Sequence, residues 1–388
     1  MGNNAGTRGF GVLNLTPDFV DILQHFDLPG RFVSADRFGN GHINETYKVR
    51  ISQSEIHSQF ALQRINSSVF PDPIAVSENI CRITSHICNR AKESSNDLLA
   101  RQHQFLPIKT KAGYSFYRDT EGQCWRVFPL IDRTRTFETA KSALIARRAA
   151  AAFGYFQFLV YDLPEPRLTE TIAKFHNTPT RYAQLREALQ NDTCDRAGLC
   201  IPEIDAALSF EESAGILTAL YEGGELPERV VHNDAKINNV LFDDVSERAV
   251  CIIDLDTVMP GLALFDFADL VRTGTMTVPE DETDLEKVTM DMVLFESLVD
   301  GYLSTAGGFL TEVETEYLPL AAKTITIETG LRFLTDYLAG DEYFRIHRPE
   351  HNLDRCRTQF ALAASIDSHL ARMRSFTEAA YLRLVEKR

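Results

Sequence analysis

The chain has 388 residues, 44% of them hydrophobic and 24% charged, and a formal net charge of −15 at pH 7. That length exceeds what one ordinary core supports and implies two domains or lobes. The acidic balance argues against a nucleic-acid partner, whose phosphates it would repel. The seven cysteines, at 81, 88, 124, 194, 200, 251 and 356, form no C-x-x-C pair and read as free thiols in a reducing compartment. The opening M-G-N-N-A-G-T has no basic stretch followed by an apolar one, and Gly6 stands where a myristoylation signal needs Ser or Thr. No apolar run approaches the ~18 residues of a membrane span. A cytoplasmic protein with no membrane partner is the expectation.

Taken in order, residues 17–25 predict a short helix stopped by Leu28-Pro29-Gly30. Residues 32–38 and 46–50 predict two strands around the turn Gly39-Asn40-Gly41-His42-Ile43-Asn44, where Asn-Gly favours a hairpin. Residues 60–65, F-A-L-Q-R-I, make the next strand. Residues 73–92 carry a broad apolar stripe behind Pro73, a residue suited to a first helical turn. Residues 114–118 and 124–128 predict a hairpin across Asp119-Thr120-Glu121-Gly122, and Pro129-Leu130-Ile131 leaves that sheet as a connector between lobes. A long helix is expected from 137 to about 161, another at 181–189, a polar loop at 191–199, and two helices around the Gly223-Gly224 turn. Further helices are expected at 284–304, 317–339 and 354–373.

The stretch V-V-H-N-D-A-K-I-N-N-V-L-F, residues 230–242, holds a polar loop between two apolar runs, which read as strand, turn and strand. It offers His232, Asp234 and, five residues after that Asp, Asn239. Eleven residues past Asn239, V-C-I-I forms a buried strand that stops at Asp254-Leu255-Asp256. A loop Asp with an Asn five residues on, and an Asp ending a second apolar strand, is the set that phosphoryl transfer from Mg-ATP requires. Asp234 orients the attacking hydroxyl, while Asn239 and Asp254 hold magnesium against the phosphates. An ordinary polar hairpin would leave this charged, amide-rich loop without a purpose. Asp266 reads as a helix-start acid that ties its own loop to the catalytic one, and His176 reads as structural.

That chemistry gives the upstream segments roles. Gly41 and Asn44, the latter in the place of a third glycine, cover the nucleotide phosphates. A kinase-like lobe carries a phosphate-anchoring Lys on the strand that corresponds to 60–65; here the place after Ala-Leu holds Gln63, with Arg64 next. Their side chains face opposite ways, so register favours Gln63 and charge favours Arg64, and both stand as nucleotide contacts. Glu78 either pairs with a cation on that strand or is an acid favoured by the helix start. An adenine ring meets backbone groups of the connector at Pro129 and Ile131.

The catalytic loop, I-D-L-D-T-V-M-P-G (253–261), F-D-F-A-D-L-V-R (265–272) and R-F-L-T-D-Y-L-A-G-D-E-Y-F (332–344) together resemble the N-acetylhexosamine 1-kinases, a branch of the aminoglycoside phosphotransferase and choline kinase superfamily. The resemblance implies an α+β, protein-kinase-like fold. Residues 1–131 would be the nucleotide lobe, an antiparallel sheet with one helix, and residues 132–388 a mostly helical lobe with the catalytic loop, metal site and acceptor site. It implies transfer from ATP, with Mg2+, to the anomeric hydroxyl of N-acetylglucosamine or N-acetylgalactosamine. Monomer and homodimer both stand as expectations. By the same resemblance Asp234 is the base, and Asp256 supports the metal site or touches the sugar. His42 and Asn44 sit where sugar and phosphate meet, and Arg332 and Tyr343 contact sugar hydroxyls or the acetamido group. Arg332 has a plainer alternative, an ion pair with Asp336 one turn on. Two other readings accompany this one: a kinase for an aminoglycoside, choline or another alcohol, and a nucleotide-binding pseudokinase. The missing strand Lys favours the pseudokinase, and the set Asp234, Asn239 and Asp254 opposes it.

Overall fold

The computed structural model describes residues 17–39, 43–93 and 98–386. Helix α1 (Phe19–Gln24) opens under Asp18, whose side chain accepts from the N–H groups of Val20 and Asp21. Strands β1 (Arg31–Arg37), β2 (Glu45–Gln53), β3 (Ile56–Ile65), β4 (Tyr117–Arg118) and β5 (Cys124–Pro129) form an antiparallel sheet in the order β1-β2-β3-β5-β4. The register sets Gln63 opposite both Thr46 of β2 and Arg126 of β5, and Arg64 opposite both Glu45 and Trp125. Side chains alternate along strands, so the sheet has two distinct faces. Phe60, Leu62, Trp125 and Val127 turn toward α1, where they join Ile22, Leu23 and Phe26. Ala61, Ile65, Cys124 and Phe128 turn the other way, into the core shared with Val76, Ile80, Ile83 and Ile87 of α2 (Pro73–Glu93).

The larger region is helical. Strand β6 (Thr134–Arg135) precedes α3 (Ala143–Val160), α4 (Thr178–Asn191), α5 (Ile201–Ser209), α6 (Glu211–Ala214) and α7 (Ile216–Glu222). Four short strands follow: β7 (Arg229–Val231), β8 (Val240–Asp243), β9 (Ala249–Ile252) and β10 (Met259–Gly261). The chain ends in α8 (Ala263–Gly274), α9 (Met292–Ala306), α10 (Glu312–Glu316), α11 (Leu318–Ala339) and α12 (His351–Val385). This is the expected architecture, a small sheet lobe joined to a larger helical one.

Several expected boundaries move for local reasons. The long helix begins at Ala143, not near 137, because the Ser142 hydroxyl accepts from Ile145 N–H at 3.3 Å. The 284–304 segment holds a single 3-10 turn at Leu285–Lys287 and is α-helical only from Met292, where Asp291 accepts from Val293 and Leu294. All three short helices precede the Gly223-Gly224 turn and none follows it before β7. The last helix continues past 373 to Val385, with Met373, Thr377 and Ala380 still buried. The runs flanking the catalytic loop are not one hairpin: β7 pairs with β10, while β8 pairs with β6 and β9. The seven cysteines form no disulfide, and among the described residues no helix is long and apolar enough to cross a membrane.

Helices α3 and α9 approach closely because two glycines let them. A Cβ at Gly301 would overlap the backbone carbonyl of Arg147, and one at Gly154 would stand 2.8 Å from the Tyr302 carbonyl. Gly301→Ala should therefore lower stability by about 1–3 kcal/mol, read as a lower urea midpoint at unchanged slope. An unchanged midpoint would mean that the two helices separate freely.

Candidate active site

The catalytic loop is held from below by one buried carboxylate. Asp266, in the first turn of α8, accepts from His232 N–H at 2.9 Å and Asn233 N–H at 2.7 Å. Its Oδ2 also accepts from Gln157 Nε2 at 2.7 Å. His232 is fully buried edge-on to Phe153 and Phe156. Its Nε2 lies 3.0 Å from the Ile253 carbonyl and its Nδ1 3.3 Å from Asp234 N, which selects the tautomer with its proton on Nε2. Asn233 takes a left-handed φ of 63° and donates to the Thr257 carbonyl at 3.0 Å, while Thr257 Oγ1 donates to the His232 carbonyl at 2.7 Å. The two loops are thus laced together.

Asp234 points away from that lacing. Its Oδ1 lies 2.7 Å from Lys236 Nζ, and its Oδ2 accepts from Asn239 Nδ2 at 3.1 Å. Burial pushes this carboxyl up, but Lys236 outweighs it and the pKa falls below the ordinary value. Asn239 spends its Nδ2 on Asp234, leaving Oδ1 as its remaining side-chain acceptor. The Asn239 carbonyl accepts from Ile253 N–H at 3.0 Å, which ties the end of β9 to the loop. Asp254 follows with a left-handed φ of 60° and an exposed side chain. The protein packed around it, and after that the Asp256 and Asp234 carboxylates, push its pKa up to about 6. Asp234, Asn239 and Asp254 therefore do come together. Lys236, two residues beyond Asp234, is a participant that the sequence reading passed over, although its spacing was in plain view.

The roof of the cleft resolves the Gln63–Arg64 alternative. Arg64 lies on the α1 side of the sheet, over the Trp125 ring and 2.8 Å from Glu45, so it does not enter the cleft. Gln63 lies on the inner face, donating to Thr46 Oγ1 at 3.1 Å and accepting from Arg126 Nε at 3.0 Å. Arg126 was not singled out from sequence, and its signal was a lone charge inside the apolar strand C-W-R-V-F. Arg126 Nη2 meets Asp256 Oδ1 at 2.5 Å, with only 2% and 3% of the two side chains exposed. Asp256 Oδ2 accepts from Asn44 Nδ2 at 2.6 Å, and Asn44 Oδ1 accepts from Asn66 N–H at 3.0 Å. Asp256 was expected at the metal or the sugar; both of its oxygens instead engage side chains of the sheet lobe. Glu78 is exposed, as the solvated alternative has it. Gly41 and His42 lie outside the described residues. In the connector, Leu130 N–H donates to the Gln59 carbonyl at 3.2 Å and the Ile131 carbonyl accepts from Thr134 Oγ1 at 2.7 Å. That bond and the missing N–H of Pro129 narrow what the two residues offer a base.

Arg332 and Tyr343 are neighbours, with Arg332 Nη2 3.4 Å from the Tyr343 hydroxyl and its guanidinium over the rings of Phe175, Tyr343 and Phe344. The expected alternative partner, Asp336, is taken by the N–H groups of Tyr343 and Phe344 and by Asn352 Nδ2. One turn before Arg332, Glu328 binds His176 Nδ1 at 2.7 Å, and His176 Nε2 meets the Asn233 carbonyl at 2.9 Å. Burial pushes the Glu328 carboxyl up, but His176 outweighs it and the net shift is downward. His176 thus couples the Arg332 wall to the catalytic loop, a structural role as expected. Arg181 adds a second guanidinium: it donates to the Phe175 carbonyl, and its buried Nε has no partner. Burial, and then Arg332, hold its pKa below the ordinary arginine value. A cavity of about 440 Å3 between α1 and residues 110–118 lies away from all these groups, whereas a smaller one of about 170 Å3 is lined by Phe175, His176, Asn233 and Phe265.

A model described as the phosphotransferase enzyme family matches residues 35–289, well over half of the chain. Among solved structures, the fold is similar to that of an aminoglycoside phosphotransferase from Alicyclobacillus acidocaldarius, with TM-score 0.59 and 15% identity over 97% of this chain and 100% of that one. A spectinomycin phosphotransferase solved with ADP and spectinomycin matches with TM-score 0.57 and 11% identity, over 90% of this chain and 97% of that one. Choline kinase from Cryptosporidium parvum matches with TM-score 0.53 and 15% identity, over 87% of this chain and 90% of that one. At such identities the likeness concerns the fold, and the family rests on the matched segment with its catalytic loop. The chain belongs to the phosphotransferase enzyme family.

Proposed function

We propose that the protein transfers the γ-phosphoryl group of ATP to the anomeric hydroxyl of an N-acetylhexosamine, N-acetylglucosamine or N-acetylgalactosamine, giving the sugar 1-phosphate and ADP. The observation that supports the sugar reading is the Arg332–Tyr343 pair on the wall coupled to the catalytic loop. With Arg181 beside it, that wall presents two guanidiniums, while its carboxylates Glu328 and Asp336 are already taken by His176 and by backbone N–H groups, which leaves neither acid to hold choline or an aminoglycoside. A neutral acetamido sugar offers oxygen acceptors to Arg332 and a ring face to Tyr343, which is 47% exposed.

In this reading the anomeric O–H passes its proton to Asp234 as its oxygen bonds to the γ-phosphorus, and the bond from that phosphorus to the β-phosphate oxygen breaks. An anomeric hydroxyl is more acidic than other sugar hydroxyls, so a carboxylate kept ionised by Lys236 suffices. Among the described residues no group of three or more His, Cys, Asp or Glu side chains is arranged to hold a metal. One carboxylate and one amide nevertheless suit magnesium, which takes phosphate and water oxygens for the rest of its shell. Three neighbouring carboxylates, of which Asp254 is pushed up by burial and by the other two, make a place where such a charge fits. Asn239 Oδ1 and Asp254 would hold the ion, which when bound supplies charge neutralisation at the phosphates.

The test is ADP release from Mg-ATP with N-acetylglucosamine, N-acetylgalactosamine, kanamycin, choline or no acceptor, followed by phosphorus NMR of the product. An anomeric phosphate on an acetamido sugar is expected. Arg332→Ala should then raise the sugar KM by about 10- to 100-fold at unchanged ATP KM, as for one lost charged hydrogen bond. Turnover with kanamycin or choline alone would sink the sugar reading. Bound nucleotide without turnover on any acceptor would favour the pseudokinase.

A further inference from the structure

We infer that Arg126, on β5, is the cation that holds the α- and β-phosphates of the nucleotide, in the place where a kinase-like lobe carries a lysine on the neighbouring strand. The inference rests on the ATP-donor reading and names the group that its sheet lobe contributes.

The register argues it. Gln63 stands where the lysine is expected, and Arg126 is directly opposite Gln63 across the β3–β5 ladder. Directly opposed residues in an antiparallel pair share a face, so Arg126 projects from the inner face along with Gln63. Arg64 cannot substitute, because it lies on the other face beside Glu45. Lys48, opposite Ala61 on the inner face, reaches over the Phe38 ring at 5.9 Å.

The surroundings of Arg126 argue it independently. Gln63 Oε1 accepts from Nε, and Asp256 Oδ1 stands at ion-pair distance from Nη2 without forming a hydrogen bond, so the Nε bond and the charge contact set the guanidinium's orientation. Its Nη1 is buried and has no hydrogen-bond partner. A buried guanidinium donor left unpaired is costly, and a phosphate oxygen satisfies it. Asp256, two residues past Asp254, ties the Arg126 guanidinium to the segment where metal and phosphates would meet. Arg126–Asp256 thereby does the work of a lysine–glutamate pair, which explains why Glu78, on α2, remains in solvent.

The experiment is calorimetric binding of adenosine, ADP and Mg-ATP to the wild type, Arg126→Met, and the double variant Gln63→Lys/Arg126→Met. Wild type should bind ADP more tightly than adenosine, and Arg126→Met should lose about 10- to 100-fold of that preference with adenosine affinity unchanged. The double variant keeps a cation opposite Asp256, guards against misfolding from an orphaned carboxylate, and should recover part of the loss. Equal weakening of adenosine and ADP in both variants, or ADP binding that survives Arg126→Met, would overturn the assignment. Loss of the phosphate preference in an enzyme that turns over no acetamido sugar would uphold Arg126 and discard only the acceptor.

Discussion

The Asp234→Asn enzyme should lose about 10²–10⁴-fold in kcat, the range for removing a general base, while still binding Mg-ADP. The amide can keep the place between Lys236 and Asn239 but cannot take a proton, so the loss should fall on kcat and spare the sugar KM. Near-normal turnover would remove Asp234 from the chemistry. Lys236→Ala provides the companion measurement. Lys236 is what overcomes burial and holds the Asp234 carboxyl low. Without it that pKa rises, and the acid limb of the kcat/KM profile should move to higher pH. An acid limb that stays in place would mean that another group controls it.

Asp266→Ala should cost about 3–5 kcal/mol, among the largest single-site effects in the molecule. It strands two buried backbone N–H groups, those of His232 and Asn233, and the Gln157 amide, at roughly 1–3 kcal/mol for each unsatisfied buried group. The readout is the urea midpoint, together with proteolytic nicking within residues 232–239. Asp266→Asn can serve only one of the two N–H donors with its single oxygen and should fall between. A loss below 1 kcal/mol in Asp266→Ala would show that water replaces the carboxylate, and the loop would owe its shape to Thr257 and Asn233 instead.

The parts of the site most legible in the sequence are those whose geometry is local. Asp234 and Asn239 are five residues apart on one loop, and the hydrogen bond between them follows from that spacing. Asp266 was legible as a tie because an acid in a first helical turn seeks nearby N–H groups. Arg332 and Tyr343 were each named by the family resemblance, and it is the αL turn at Gly340 that folds the chain back and makes them neighbours. Lys236 stands two residues from Asp234, a contact that the spacing permits, whereas Arg126 was not legible because its partner Asp256 is far along the chain.

The sequence by itself determined the kinase-like class, the spacing of Asp234 and Asn239 on one loop and the carboxylate that ends β9, because strand–loop–strand patterning and short spacings act within a few residues. Only the tertiary structure decided which face of β3 looks into the cleft, and with it that Arg64 is outside and Arg126 inside. It also decided that Asp256 closes onto Arg126 and Asn44, two residues of the sheet lobe. The physical reason is that alternation along a strand separates its side chains into two sets without saying which set is buried where. Cross-strand register, and the packing of α1 on one face and α2 on the other, settle that choice.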